Sequence, residues 1–550
     1  MMKIGFCTPD KAQYLVGERV RLTIPGGDGA FLILTNLHDI VDYGSVTYET
    51  DGKSFSAIVD NLPKGSYGVS FDRGEERYET AFDVVESRSD ITRYGFLTDF
   101  TPDDEDIRAV KSMARLHLNA VQFYDWMYRH DDLVANSEKY RDALGKEASR
   151  DVIEKKIAAC RDMGMRPFAY GAVYAASKEK WEQFPEWGLY TMENKPLLFG
   201  NWLYFMNISK DCGWFNHILK EFERSGASLG FMGIHMDTYG FPKHAWDANG
   251  CPVELSSCFT PLINAAAQTM KNLNEENGVI FNAVNNWPVT AVSKSAQDAV
   301  YIEVWPPYEH YIDLYRLIRE ARQLSGKPVV LAAYMEPFKN AKSDAEISAA
   351  EWSYLYANAA ICASGGTQLA LGENDCILCD SYYVDHACLR DSFLPLVQRY
   401  ADFVVRYAPL LYSDDGMDVS MTGAGGINEE FIFSANSAAF SVDAEPDAVW
   451  VIIHETVKRI SIQLINLVGN NGKWNAPKGA PTIVTGVTLK MRLDRPLKGV
   501  YVASPDGKSL AAASLDYNYE PSDQGRVYNI FVGAISIWTI IWVDISDCQD

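Results

Sequence analysis

Gly230-Phe-Met-Gly-Ile-His-Met-Asp237 and Ala299-Val-Tyr-Ile-Glu303 share one pattern: an unbroken apolar run that stops at a carboxylate. Short apolar runs of this kind read as strands buried on both faces, as in a parallel sheet, rather than as alternating half-solvated strands. Six more lie around them: Tyr94-Gly-Phe-Leu-Thr98, Ala120-Val-Gln-Phe-Tyr124, Pro167-Phe-Ala-Tyr170, Val279-Ile-Phe-Asn-Ala283, Pro328-Val-Val-Leu-Ala-Ala333 and Thr367-Gln-Leu-Ala-Leu371. Between consecutive runs the apolar spacing becomes helical. Eight strand-then-helix units predict a (β/α)8 TIM barrel. Thr101-Pro-Asp-Asp-Glu105 reads as a helix start, with an N-cap threonine and a proline in the first turn. Gly164, Gly278 and Gly326 fall where C-terminal caps belong. The barrel takes more chain than the ~250 residues typical of the fold, which predicts long βα loops. The longest, 171–230, carries Trp181, Phe184, Trp187, Tyr190, Phe199, Trp202, Tyr204 and Phe205, at least half of which should pack the loop itself.

On either side the period falls to two. From Lys11 to Glu86, runs such as Arg19-Val-Arg-Leu-Thr-Ile24 and Ala30-Phe-Leu-Ile-Leu34 are broken by Pro-Gly-Gly, Asp-Gly and Pro-Lys-Gly, which predicts a small antiparallel sandwich. After a helix over Leu389 to Leu410, alternation returns in Phe431-Ile-Phe433, Trp450-Val-Ile-Ile453, Ile460 to Ile465 and Thr488 to Leu493. The expected organisation is multidomain α/β and β, with a sandwich over 1–90, a barrel over 91–412 and a second β domain over 413–550. That agrees with the three or four domains expected of 550 residues at ~150 each.

The chain carries 73 acidic and 50 basic residues, a net charge of −23. Phosphate backbones and anionic membranes require clustered Lys and Arg, so nucleic acid and membrane are excluded as expected partners. Ile530 to Val543 is the most apolar stretch, too short for a spanning helix, and reads as a buried final strand. Met1-Met-Lys-Ile-Gly-Phe lacks an apolar leader core, so the sequence as given predicts a cytoplasmic protein, or a secreted one if a leader has been trimmed. Ten cysteines without regular spacing suggest reduced thiols rather than a disulfide framework. Cys376, Cys379, His386 and Cys388 are zinc-ligand types, but their spacing matches no zinc module, and the expected site holds neither metal nor cofactor.

Catalytic groups of such barrels sit at the C-terminal ends of the strands. Here those ends read Asp99; Tyr124-Asp125-Trp126; Tyr170; His235-Met-Asp237-Thr-Tyr239; Asn282, Asn285 and Asn286; Glu303-Val-Trp305; Tyr334-Met-Glu336; and Glu373-Asn374-Asp375. No phosphate loop, nucleophile elbow or His-Glu-x-x-His motif appears, which disfavours phosphoryl transfer, esterase chemistry and zinc hydrolysis. Paired carboxylates among aromatics suit glycoside hydrolysis, where one carboxyl protonates the leaving oxygen and the other attacks the anomeric carbon or activates water. Asp237 and Glu303 form the best pair, and Glu336 competes for the acid role. By spacing alone each could instead be an ion-pair or helix-cap residue, and His235 a core histidine.

Asn119-Ala-Val-Gln-Phe-Tyr-Asp-Trp-Met-Tyr-Arg-His130, Gly233-Ile-His-Met-Asp-Thr-Tyr-Gly240 and Tyr301-Ile-Glu-Val-Trp-Pro306 resemble the signature blocks of glycoside hydrolase family 66. That family comprises dextranases and cycloisomaltooligosaccharide glucanotransferases, which act on α-1,6-glucan with retention. The resemblance covers nearly the whole chain. It implies that the N-terminal domain, opened by Asp10-Lys-Ala-Gln-Tyr-Leu-Val-Gly17, is immunoglobulin-like and that the C-terminal one is a Greek key. It also implies that Asp237 is the nucleophile and Glu303 the general acid/base, with Tyr124, Asp125, His235 and Tyr239 as candidates to bind the sugar; Trp126, Trp305 and Glu373, at the same strand ends, are further substrate-binding candidates. The family's transferases look like dextranases carrying a binding module between strand seven and its helix, and the 32 positions from Tyr334 to Gly366 leave no room for one. The expected activity is therefore retaining endo-hydrolysis of dextran or isomaltooligosaccharides. A glucanotransferase and a non-catalytic glucan-binding protein are the alternatives.

Overall fold

In the computed structural model of the chain, residues 3–546 are described, apart from 28, 105, 414 and 524. Eight parallel strands pair in sequence order: β1 (Tyr94–Leu97), β2 (Ala120–Phe123), β3 (Arg166–Ala172), β4 (Gly233–Asp237), β5 (Gly278–Val284), β6 (Ala299–Glu303), β7 (Val329–Ala332) and β8 (Thr367–Gln368). A parallel bridge from Phe96 to Gly372 joins the last strand's extension to the first. Thr367 Oγ1 also donates to the Thr92 carbonyl at 2.6 Å, so the sheet curls into a nearly closed barrel.

Period-two alternation explains the layers. Tyr94, Phe96, Ala120, Phe168, Ile280, Tyr301, Val330 and Leu369 form a cluster filling the barrel. Their neighbours Leu97, Val121, Ile234, Met236, Phe281, Ile302 and Leu331 point outward into a larger core shared with the helices. Those helices are α1 (Arg108–Arg115), α2 (Arg150–Asp162), α3 (Gly213–Leu229), α4 (Leu255–Leu273), α5 (Val289–Val292), α6 (Tyr311–Ser325), α7 (Asp344–Ala363) and α8 (Leu394–Arg406). The Ser149 hydroxyl caps α2 by accepting from Val152 N–H, and Ser343 and Glu346 form a capping box on α7.

Several local expectations change. Thr101 does not start a helix: its hydroxyl donates to Asp99 Oδ1 at 2.9 Å and its carbonyl accepts from Asp104 N–H, a turn, while α1 begins at Arg108. Glu105 lies outside the described residues. Gly326 ends α6 in the left-handed region, as a C-cap should, and Gly164 follows α2 at φ +71°. Gly278 instead opens β5, where a Cβ would collide with the Asp298 carboxylate. The final apolar stretch is two strands, Gly525–Ile535 and Trp538–Ile545.

Before the barrel, two sheets enclose a separate core around Tyr14, Leu22, Leu34, Val69, Phe71 and Phe82. After it, seven- and four-stranded sheets enclose another around Val451, Ile462, Leu489, Ile530 and Ile541. Each is a two-sheet sandwich with most strand pairs antiparallel. No helix among the described residues is long and apolar enough to cross a membrane.

Candidate active site

The strand periodicity that fills the barrel also builds its upper layer. Asp237 lies two residues beyond inward-facing His235, Glu303 two beyond Tyr301, and Asn282 two beyond Ile280. Asn282 Nδ2 donates to Asp237 Oδ1 at 2.7 Å and to Glu303 Oε2 at 2.9 Å, so one nitrogen ties the two carboxylates together. The Tyr170 hydroxyl donates to Asp237 Oδ2 at 2.7 Å, and the Tyr334 hydroxyl to Glu303 Oε1 at 3.1 Å. Glu303 is 7% exposed. Five strand ends thus hold two acids in one network.

Burial dominates the electrostatics. Desolvation pushes the Asp237 carboxyl up to about 6 against the hydrogen bonds from Asn282 and Tyr170. Glu303 is pushed up to about 7 by desolvation and by the neighbouring Asp237 charge, with Asn282 and Tyr334 opposing. Asp125 rises to about 7 through desolvation and then the charges of Asp142 and Asp237. His235 is buried beside the Tyr94 hydroxyl, 3.2 Å from Nδ1, and desolvation lowers it to about 3, so the ring is neutral at ordinary pH.

A cavity of about 400 Å³ opens over this network. Tyr124, Asp125, His235, Tyr239 and Trp305 line it. Trp126 and Glu373 do not. Asp125 takes a left-handed backbone, φ +52°, and Trp126 beyond it turns into the core, 1% exposed, donating its indole N–H to the Tyr170 carbonyl. Glu373 is buried and accepts from Thr98 Oγ1 and Asp99 N–H, so it fixes the end of β1. Glu336 is exposed and apart from the pair, with its N–H held by Asn475 Oδ1.

Of the eight loop aromatics, Phe199 and Trp202 reach the cavity. Trp181 stacks on Tyr204 and Phe184 on Trp187, while Phe205 packs on Tyr174, so most of them hold the excursion together. Sequence reading did not single out Asn282, Tyr170 and Tyr334 as site residues although it placed them at strand ends. It gave no sign of Tyr382 and Tyr383, which reach the cavity from a hairpin beyond β8; the Tyr383 ring stacks on Tyr124 with centroids 4.4 Å apart.

A second cavity of about 210 Å³ adjoins the first and shares Trp305 and Tyr334 with it. Its far wall, Lys473 to Asn475, comes from the C-terminal domain; Trp474 is anchored by its indole N–H to the Tyr308 carbonyl, 2.8 Å. Among the described residues no three or more His, Cys, Asp or Glu are placed to hold a metal ion. Of the suspected ligands, His386 Nδ1 donates to the Tyr383 carbonyl and Cys379 Sγ to the Ile377 carbonyl.

A family profile described as Glycosyl hydrolase family 66 matches residues 9–542. The chain belongs to that family. One family 66 relative, a cycloisomaltooligosaccharide glucanotransferase from Niallia circulans, is 25% identical over 97% of this chain and 72% of its own length. That alignment runs over 698 positions against a chain of 550, so the relative carries residues inserted between matched segments. A dextranase from Streptococcus salivarius is 24% identical over 60% of this chain and 46% of its own length. The fold matches a Paenibacillus sp. cycloisomaltooligosaccharide glucanotransferase solved with cycloisomaltoheptaose, at TM-score 0.87 and 22% identity, over 98% of this chain and 100% of that one.

Proposed function

We propose that the protein is a retaining endo-hydrolase of α-1,6-linked glucan, with Asp237 as nucleophile and Glu303 as general acid/base. The observation that carries this reading is the shared Asn282 nitrogen. Two carboxylates bonded to one atom at 2.7 and 2.9 Å have nearest oxygens no further apart than the sum of those lengths. That bound is in keeping with the ~5–5.5 Å spacing of a double displacement, and so supports it over the ~6.5–9.5 Å spacing of an inverting pair.

In the first step protonated Glu303 gives its proton to the glycosidic oxygen while an Asp237 oxygen attacks the anomeric carbon, breaking the glycosidic bond and forming a glucosyl ester. Glu303, now ionised, then takes a proton from water, whose oxygen displaces Asp237 and returns it as a carboxylate. Asn282 and Tyr170 hold Asp237 ready for attack, and desolvation with the Asp237 charge keeps Glu303 protonated. Tyr124, Tyr239 and Trp305 offer ring faces for a neutral sugar.

The hydrolase branch is favoured by the short connection after β7, where a turn at Glu336–Phe338 leads to α7 at Asp344 without room for an inserted module. The second cavity supports an alternative emphasis on transfer. It lies past Trp305 on the Glu303 side, where we place the leaving or acceptor sugar. We read the flanking sandwiches as the immunoglobulin-like and Greek-key modules implied by the sequence.

Asp237→Ala and Glu303→Ala assayed on dextran test the assignment, and near wild-type turnover by either would end it. Azide should rescue Glu303→Ala with formation of an α-glucosyl azide. Product chromatography on a ladder of isomaltooligosaccharides separates hydrolysis from transfer. Absence of any reducing-sugar release would point to a glucan-binding protein.

A further inference from the structure

We propose that Cys376 and Cys388 are a thiol–disulfide pair whose oxidation locks the hairpin that presents Tyr382 and Tyr383 to the cleft. The short strands Cys376–Leu378 and His386–Cys388 are antiparallel, with Cys376 directly opposite Cys388. Leu389 N–H donates to the Asp375 carbonyl, so residues 375 and 389 form a hydrogen-bonded pair and 376 and 388 the non-hydrogen-bonded pair beside it. In such pairs side chains stand closest, and their Cα spacing of ~4.5 Å falls within the ~4.4–6.8 Å of disulfides. The two sulfurs are 3.1 Å apart. Cys388 is exposed and Cys376 buried, so reagents reach one thiol while its partner waits behind it.

The hairpin is attached asymmetrically. Its inner strand is stitched to the barrel by Gly372 N–H to the Cys376 carbonyl, Leu378 N–H to the Ala370 carbonyl and Met335 N–H to the Leu378 carbonyl. Its outer strand joins the inner one through the three-residue pairing that ends at Cys388. Between them the tip places Tyr383 on Tyr124 and sets its hydroxyl 2.9 Å from that of Tyr301. A covalent bond at the neck closes a ring around this tip and reduces its freedom to open.

The chemistry balances with a low-molecular-weight disulfide of the glutathione type. Cys388 thiolate attacks one sulfur of the reagent, forming a mixed disulfide and expelling one thiolate. Cys376 then loses its proton and attacks Cys388 Sγ, expelling the second. Two protein thiols become one disulfide while the reagent disulfide becomes two thiols. Burial pushes the Cys376 thiol up, consistent with its role as the resolving rather than the attacking group.

The full chain is treated with glutathione disulfide, alkylated and peptide-mapped without reduction, with hydrogen exchange followed in parallel. The expected result is a two-hydrogen mass loss within the segment containing residues 376–388, retained in Cys379→Ser and absent in Cys388→Ser. Exchange across 379–385 should slow several-fold on oxidation and recover with dithiothreitol. Cys376 and Cys388 remaining fully alkylatable would overturn the proposal, as would a disulfide that leaves exchange unchanged or stoichiometric zinc bound by the pair. These readouts do not depend on glucan cleavage.

Discussion

Asp237 and Glu303 must hold opposite protonation states to act in the roles proposed, and burial sets how narrow that window is. Asp237 ionises above about 6 and Glu303 stays protonated below about 7. We expect kcat/KM on an isomaltooligosaccharide to follow a bell with limbs near those values, checked by pH-rate profiles. Asn282 opposes the rise at both groups, so Asn282→Ala should move both limbs to higher pH and lower the maximum; a variant whose limbs stay in place would remove Asn282 from the electrostatics. Linkage gives a second expectation. The folded-state value of Glu303 lies above its ordinary 4.5, so its stability contribution is complete below that ordinary value and is lost as pH rises through about 7. Glu303→Gln, which cannot ionise, should therefore be more stable than wild type at pH 8, by at most about 3 kcal/mol at ~1.4 kcal/mol per pKa unit. At pH 4 the two should coincide in thermal unfolding.

At the scale of elements, what the sequence made legible follows from what each signal measures. The barrel strands were readable because burial on both faces leaves a continuous apolar run, and the carboxylates closing β4 and β6 were readable because they end that run. Thr101 misled because a threonine-proline-acid start satisfies a turn as well as a helix, and Asp99 accepts its hydroxyl. Trp126 misled because its position at the end of β2 says nothing of the left-handed Asp125 that sends it into the core. Tyr382 and Tyr383 were invisible because a hairpin brings them in, and local periodicity carries no record of which loop folds over which cleft. The excursion between β3 and α3 is legible only as aromatic surplus, most of which packs internally. Phe199 and Trp202 are the exceptions: both line the cavity, and Trp202 is 39% exposed. Trp202→Ala should raise KM for long isomaltooligosaccharides roughly three- to ten-fold, the value of one aromatic contact, with kcat retained. A loss confined to kcat would assign the ring to the chemistry instead.

Over the whole molecule, the C-terminal domain shares the barrel's outer apolar core, with Trp450, Trp538 and Trp542 buried in it, and buried polar contacts also tie the three sheet systems together. Arg93, just ahead of β1, forms a two-pronged pair with Asp83 of the N-terminal sandwich at 2.8 and 3.0 Å, both nearly buried. Gln13 donates to Asp83 and accepts from Asn119 of the barrel, which closes the network. Glu79 of the same sandwich accepts Leu510 N–H from the C-terminal domain. Removing both members of a buried pair is cheap where apolar groups can replace them, whereas removing one leaves a desolvated charge behind, at roughly 3–5 kcal/mol. Asp83→Ala should therefore destabilise the protein by about that much in urea unfolding. Adding Arg93→Met should restore most of the loss. Glucan cleavage by the folded fraction should remain near wild type in both, because Asp83 and Arg93 lie outside the lining of the cavity over Asp237 and Glu303. If the double variant were as unstable as the single one, the network would be contributing fixed geometry between sandwich and barrel rather than relief of an isolated charge.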